Sequence, residues 1–326
     1  MKIILLPDLF SHPAQHVLLV ALISHALEER HRLDFDRQHP AVAAWLNQQG
    51  SGLREDIDLA LDASAHDETR EPSHTVVEVT RLATSDFERT PIRLHLADAQ
   101  QFLGEPFVVL LEDQVSDRGF LTRMMSDEER RFFDQRVQRG FVRIDHGGGL
   151  GSMTRRVAAQ ATNAADRHRL WVLFDSDAMQ PGQPSRQSEA LRDAAGPLLH
   201  HQLRRRYMES YLPRQALHAW AANEPNSRVR DERLARFRSF VGLTEQQRHH
   251  YNMKHGFRGD ADRADGSAGT LYDDVSEESR RTLGSGFGSD IGDLFQSGEV
   301  SELDLRRDTG WEEMRPVVRE LLARVR

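Results

Sequence analysis

The fold turns on Phe107-Val108-Val109-Leu110-Leu111-Glu112 and on a second stretch built the same way, Leu170-Trp171-Val172-Leu173-Phe174 followed by Asp175-Ser176-Asp177. A strand that is apolar throughout is buried on both faces, which places it inside a parallel sheet covered by helices. Ligands of such sheets bind just outside the carboxyl ends of the strands. Glu112, Asp175 and Asp177 stand at two of those ends. Their carboxylates are expected to converge on one edge of the sheet, where a divalent cation would neutralise them.

Working outward, the chain from Glu105 alternates regularly. The apolar strand and its acidic turn lead into a helix over about 117–138, with Ser126 as an internal N-cap. A strand over 141–144, a glycine loop over 145–151, a helix over about 152–165 and the strand 170–174 follow. Alternating βα units of this length predict a parallel sheet with right-handed crossovers. Beyond the loop 180–188 a helix is expected to carry Leu191, Leu198, Leu199 and Leu203, and Pro213 turns the chain. The remainder reads as mainly helical, broken at 256–269 and 284–288. It ends in a helix over 311–325 whose stripe of Trp311, Met314, Val318, Leu321, Leu322 and Val325 faces the core.

The first hundred residues read as a separate α/β region. Strands are expected at 2–6, 75–82 and 92–96, helices at 16–30, 40–48 and 52–65, and a polar loop at 64–73. No catalytic spacing occurs there. The expected division is therefore an N-terminal α/β region of unknown role (1–104), an α/β core (105–215) and a mainly helical extension that completes the site (216–326).

Composition narrows the class. The 326 residues hold no apolar run of membrane-spanning length, about 18 residues, and no cysteine. Disulfides and thiolate metal sites are excluded, and the expected compartment is the reducing cytoplasm. The first residues lack the basic region and small-residue cleavage pattern of a secretion signal. Net charge is −8, so any affinity for nucleic acid must come from local clusters. The candidates are Arg204-Arg205-Arg206, Arg228, Arg230, Arg233, Arg236 and Arg238. They read either as solvated helix faces paired with Asp231 and Glu232 or as an arginine-lined groove for phosphates.

Three carboxylates at strand ends suit hard cations such as Mg²⁺ or Mn²⁺, which keep waters and share the site with substrate phosphates. Such sites serve phosphodiester cleavage. The alternative is that the acids cap the helices that follow them. The run Gly147-Gly148-Gly149-Leu150-Gly151 does not have the spacing of a dinucleotide fingerprint, and no phosphate-binding loop of the Gly-x-x-x-x-Gly-Lys-[Ser/Thr] type occurs. The histidine pairs His200-His201 and His249-His250 would diverge on a helix and do not make a zinc site. His146 and His255 are better placed for phosphate contact or proton transfer. No Gly-x-Ser-x-Gly elbow is present.

The order strand–Glu112, strand–glycine loop, strand–Asp175-x-Asp177 resembles the TOPRIM catalytic fold of topoisomerases, bacterial primases and OLD-type nucleases. Leu111-Glu112-Asp113-Gln114-Val115-Ser116-Asp117 matches the family's first motif without its glycine and with its Asp one place late. Arg206-Tyr207-Met208-Glu209-Ser210-Tyr211-Leu212 is similar to the Glu-x-Tyr-Leu segment of the OLD-like, defence-system branch. Tyr251-Asn252-Met253-Lys254-His255-Gly256 resembles the segment that supplies that branch's late lysine.

The resemblance implies a TOPRIM-like, Rossmann-like parallel sheet flanked by helices. It also implies a Mg²⁺- or Mn²⁺-dependent endonuclease. Glu112, Asp175, Asp177 and Glu209 would hold metal, Asp117 would support them, and Lys254 would neutralise transition-state charge. Water would be the nucleophile, since no tyrosine is placed for covalent catalysis. DNA is the expected substrate, within a bacterial antiviral defence system, as an oligomer or complex member beside an ATPase or sensor subunit and away from membranes. An RNase acting on tRNA, or a non-catalytic scaffold subunit, are the alternatives.

Overall fold

The computed structural model describes residues 1–12, 15–113, 116–261 and 268–326. Two four-stranded, wholly parallel sheets follow one another along the chain. The first comprises β1 (Lys2–Leu5), β2 (Arg32–Asp34), β3 (Val76–Thr80) and β4 (Ile92–His95), in the spatial order β2-β1-β3-β4. The second comprises β5 (Phe107–Leu111), β6 (Val142–His146), β7 (Leu170–Phe174) and β8 (Leu199–Gln202), in the order β6-β5-β7-β8.

Strands β5 and β7 lie at the centre of the second sheet and are buried at every residue. Alternation along them splits the core into two layers. Phe107, Val109, Leu111, Trp171 and Leu173 pack with Phe120, Phe133 and the C-terminal helix Thr309–Val325 on one face. Val108, Leu110, Leu170, Val172 and Phe174 pack with Leu150, Met153, Val157 and Leu191 on the other. Each fully buried side chain of this size contributes about 1.5–3 kcal/mol. The stripe of the last helix is buried as its periodicity predicts, with Trp311 only partly covered.

From β5 the chain crosses to β6 on one side and later returns to β7 on the other. The β5/β7 boundary is therefore the topological switch point, the place where open α/β sheets bind ligands. In register, Leu111 lies opposite His146 and Leu110 opposite Val172, so Glu112 and Asp175 emerge at the same edge.

Several boundaries differ from the sequence expectation. The helix expected over 117–138 is two helices, Ser116–Arg123 and Asp127–Gln138. Ser126 and Glu129 form a reciprocal capping box at the break, and Arg315 of the C-terminal helix holds Glu129 with two hydrogen bonds of 2.7 and 2.8 Å. The expected loop 64–73 is largely helical, because Ser51–Arg70 continues as one helix with Ser64 accepting a 2.9 Å bond from the Leu33 amide of β2. Leu199 was expected in a helix. That helix stops at Ala195, and Gly196 at φ 40° turns the chain into β8. His200 and His201 therefore diverge on a strand, His201 toward Glu313 at 2.9 Å and His200 onto the Phe174 ring. The break expected over 256–269 begins with a helical turn, Gly256–Ala261.

Candidate functional site

Each acidic residue at the switch point is held by its own local device. Helix Ser116–Arg123 begins four residues after Glu112. The backbone N–H of Asp113 donates to Asp117 Oδ2 at 2.8 Å, and Asp113 Oδ1 accepts from the Ser116 amide at 2.8 Å. Asp117 is thereby folded back beneath the turn that follows Glu112. Gln114 and Val115 lie outside the described residues.

The Asp175-Ser176-Asp177 turn is stitched to 205–208. Asp175 Oδ1 accepts from the Met208 amide at 3.0 Å, Ser176 Oγ donates to the Arg205 carbonyl at 2.7 Å, and the Asp177 amide donates to the Arg206 carbonyl at 2.9 Å. Asp177 sits in the left-handed region at φ 53°, an unusual conformation that aspartate tolerates better than most residues and that recurs at functional sites. Buried Ser188 donates to the Asp175 carbonyl at 2.6 Å.

Glu209 lies on a short 3-10 helix, Met208–Tyr211, and is 0% exposed. Gly292 lets a covering segment approach it: a Cβ there would fall 3.0 Å from Glu209 Oε1. Two buried arrangements anchor the helix from either side. Arg206 makes a bidentate pair with Asp260 at 2.8 and 2.6 Å, and the Tyr211 hydroxyl donates to Glu313 Oε2 at 2.7 Å.

Lys254 completes the group. Its Nζ lies 2.9 Å from Glu209 Oε1, while Glu209 Oε2 and Glu112 Oε2 are buried without hydrogen-bond partners. The lysine is presented by a glycine clamp. Gly256 and Gly286 stand at φ 63° and 66°, and a Cβ on Gly286 would meet the Lys254 carbonyl at 2.5 Å. The Phe287 amide donates to the Met253 carbonyl at 2.7 Å. The stretch 284–288 registered in the sequence only as a break between helices. Its function is to pin the lysine loop, and the signal for that was the glycine density itself.

The electrostatics bind these segments into one unit. Burial first, then the charges of Asp117 and Asp177, push the Glu112 carboxyl up to about 7, against the pull of Lys254. Burial, with Glu209 and Asp113, raises Asp117 to about 7 although the Asp113 amide opposes it. Asp175 is pushed well above the usual carboxylate range by burial and by Glu112, Glu209, Asp117 and Asp177. For Lys254 burial works against the ammonium, and Glu209, Asp175 and Asp117 more than offset it, so its pKa rises. Four of the six residues singled out in the sequence, Glu112, Asp117, Asp175 and Lys254, thus feel the charges around them, and Glu209 and Asp177 are among the sources of that charge.

The set does not form a closed metal cage. Among the described residues no three His, Cys, Asp or Glu side chains are arranged to hold one ion between them. Part of the reason is that Asp175, Asp117 and Glu209 already have partners in Met208, Asp113 and Lys254. The donors nonetheless fit a hard cation in kind: they are oxygens in excess, and two buried ones are unpartnered. Mg²⁺ is commonly held by one or two carboxylates, with waters and substrate phosphates completing its shell.

The arginine run behaves differently from both sequence readings. Arg205 and Arg206 are buried structural groups, Arg205 bonded to Ser210 and Asp308 and stacked on Tyr211. Burial and internal pairing withdraw them from any phosphate groove. Arg228 pairs with Glu232 at 3.4 Å on an exposed face, and Arg233 pairs with Glu224 at 3.0 Å. His146 is exposed at the end of β6, and His255 is exposed beside Lys254. Three of the four tyrosines, Tyr211, Tyr251 and Tyr272, are buried with their hydroxyls bonded to Glu313, the Leu283 carbonyl and the Gln247 carbonyl.

No family model, curated protein or solved structure matches the chain. No helix among the described residues is long and apolar enough to cross a membrane.

Proposed function

We propose that this protein is a Mg²⁺- or Mn²⁺-dependent nuclease that hydrolyses DNA phosphodiester bonds through a TOPRIM-like carboxylate site. The observation that carries the reading is the gathering of Glu112, Asp117 and Asp175 at the switch point of a parallel sheet, each held above the usual carboxylate range by burial and neighbouring acids, with buried Glu209 and its cationic partner Lys254 beside them. An acidic cluster that destabilises itself in this way is explained by a cation or by proton transfer. A bound divalent ion polarises a phosphoryl group and makes water a competent nucleophile at neutral pH.

The chain's own residues do the rest. Glu112, Asp175, Asp177 and Glu209 would supply the oxygens for the ion once their side chains turn toward it, Asp117 orders the turn that presents Glu112, and Lys254 would offset negative charge developing on the phosphate. The buried, bonded hydroxyls of Tyr211, Tyr251 and Tyr272 are poor covalent nucleophiles, which favours direct attack by water. The sequence carries no phosphate-binding loop, so an ATPase or sensor subunit would supply nucleotide sensing in a cytoplasmic antiviral system.

The test is incubation of the purified chain with plasmid DNA and with total tRNA, each with Mg²⁺ and Mn²⁺, beside the double variant Asp175→Asn, Asp177→Asn. Plasmid cleavage that needs metal and falls at least about a hundredfold in the variant, the scale of a lost electrostatic catalytic group, supports the proposal. Cleavage of tRNA alone moves the substrate to RNA. No cleavage of either assigns the chain a non-catalytic role, and equal cleavage by the variant overturns the carboxylate site.

A further inference from the structure

Glu209 is completely buried, yet only one of its oxygens has a partner, Lys254 Nζ at 2.9 Å. The backbone bearing Lys254 is fixed, because both clamp glycines hold positive φ and leave no room for a Cβ. The lysine side chain is less confined and remains 35% exposed, so its ammonium has a route from Glu209 to solvent. Asp175 and Asp117 lie near enough to act on the same ammonium. A single cation thus answers to three carboxylates, two of which are also candidate metal ligands.

We propose that Lys254 is a built-in counter-cation that competes with the divalent metal for Glu209, and that loading the metal releases its ammonium toward solvent. The inference rests on the metal-dependent reading above. An ammonium and a divalent ion a few ångströms apart repel each other strongly in a partly buried site. Both cannot take Glu209 Oε1 at full strength. As it stands, Glu209 Oε1 is taken by the lysine.

The test is Mn²⁺ binding by the full-length chain without nucleic acid, measured by calorimetry, for wild type, Lys254→Met and Lys254→Arg. Circular dichroism checks each fold, and Lys254→Gln replaces the methionine variant if that one does not fold. The uncharged variant is expected to bind Mn²⁺ at least about tenfold more tightly, the scale of one removed like charge. Lys254→Arg, which keeps the charge, is expected to match wild type within about threefold. Equal or weaker binding by the uncharged variant overturns the inference while leaving the metal reading standing. Absence of binding by every chain overturns both.

Discussion

Glu112→Gln is expected to stabilise the metal-free protein at alkaline pH and to leave it unchanged in mild acid. Burial and the neighbouring charges of Asp117 and Asp177 hold the Glu112 carboxyl at about 7, against an ordinary value of 4.5. A folded state with the higher pKa binds the proton more tightly than the unfolded chain. Stability is therefore fully present below the unfolded value and is lost as pH rises toward about 7. Each pH unit across that window costs about 1.4 kcal/mol, or about 3 kcal/mol for the whole interval, and partial solvent access reduces this to about 2 kcal/mol. The glutamine keeps the shape and removes the charge. At about pH 8, in EDTA, its melting temperature should lie above wild type by about 3 °C, the scale of ~2 kcal/mol in a chain of 326 residues. At about pH 4.5 the two should coincide, since both carry a neutral side chain there. Saturating Mn²⁺ should reverse the order at alkaline pH, because wild type gains binding energy that the variant lacks. The assay is calorimetric melting across this pH range with and without metal. A variant that melts at or below wild type at alkaline pH in EDTA, or a difference that does not change with pH, would refute the coupling on which the site rests.

Two further substitutions probe the supports rather than the acids. Arg206→Met leaves the half-buried Asp260 without its bidentate partner, with only Asn252 still donating to it, and should destabilise the chain by about 3 kcal/mol; adding Asp260→Leu should recover much of that, and chemical denaturation of the two variants measures it. Gly286→Ala forces a Cβ into the left-handed region and against the Lys254 carbonyl, so it should cost at least about 2 kcal/mol. It should also reduce nuclease activity more than a distant variant of equal stability, and an unchanged rate would show that the clamp does not position Lys254.

The central sheet was legible because β5 and β7 are apolar at every position, a pattern that only burial on both faces produces. The acidic ends were legible for the same reason, since an acid directly after such a run must emerge at the sheet edge. Strand β8 was not legible. Leu198, Leu199 and Leu203 suit a helical face as well as a short strand, and only the pairing of Leu199 with Trp171 decides between them. Strand β2 went unread because three residues are too few to show a period. The buried role of Arg205 and Arg206 was equally hidden. Their partners Asp308 and Asp260 lie about 50–100 positions away, a separation at which one sequence shows no pairing signal. The Lys254–Glu209 contact is of the same kind, and family-like order suggested the two residues without showing that they touch.

The helix-cap alternative for the acidic strand ends can be settled on placement. A capping acid must sit next to the first turn and accept from its amides. The helix after Asp175 and Asp177 begins at Arg186, and its cap is Ser185, whose side chain accepts from the Ser188 amide. Neither aspartate is near that role. The amide of Ser116, at the start of the next helix along, is served by Asp113, which leaves Glu112 without that function too. None of Glu112, Asp175 and Asp177 caps the helix that follows it in the chain, although Asp175 accepts from the Met208 amide at the start of the 3-10 helix Met208–Tyr211, and burial and mutual repulsion make Glu112 and Asp175 expensive to keep ionised. Folding alone would be better served by amides at these positions. A ligand that arrives with positive charge would favour carboxylates there; among the described residues the cation that acts on Glu112 is Lys254, which already pairs with Glu209.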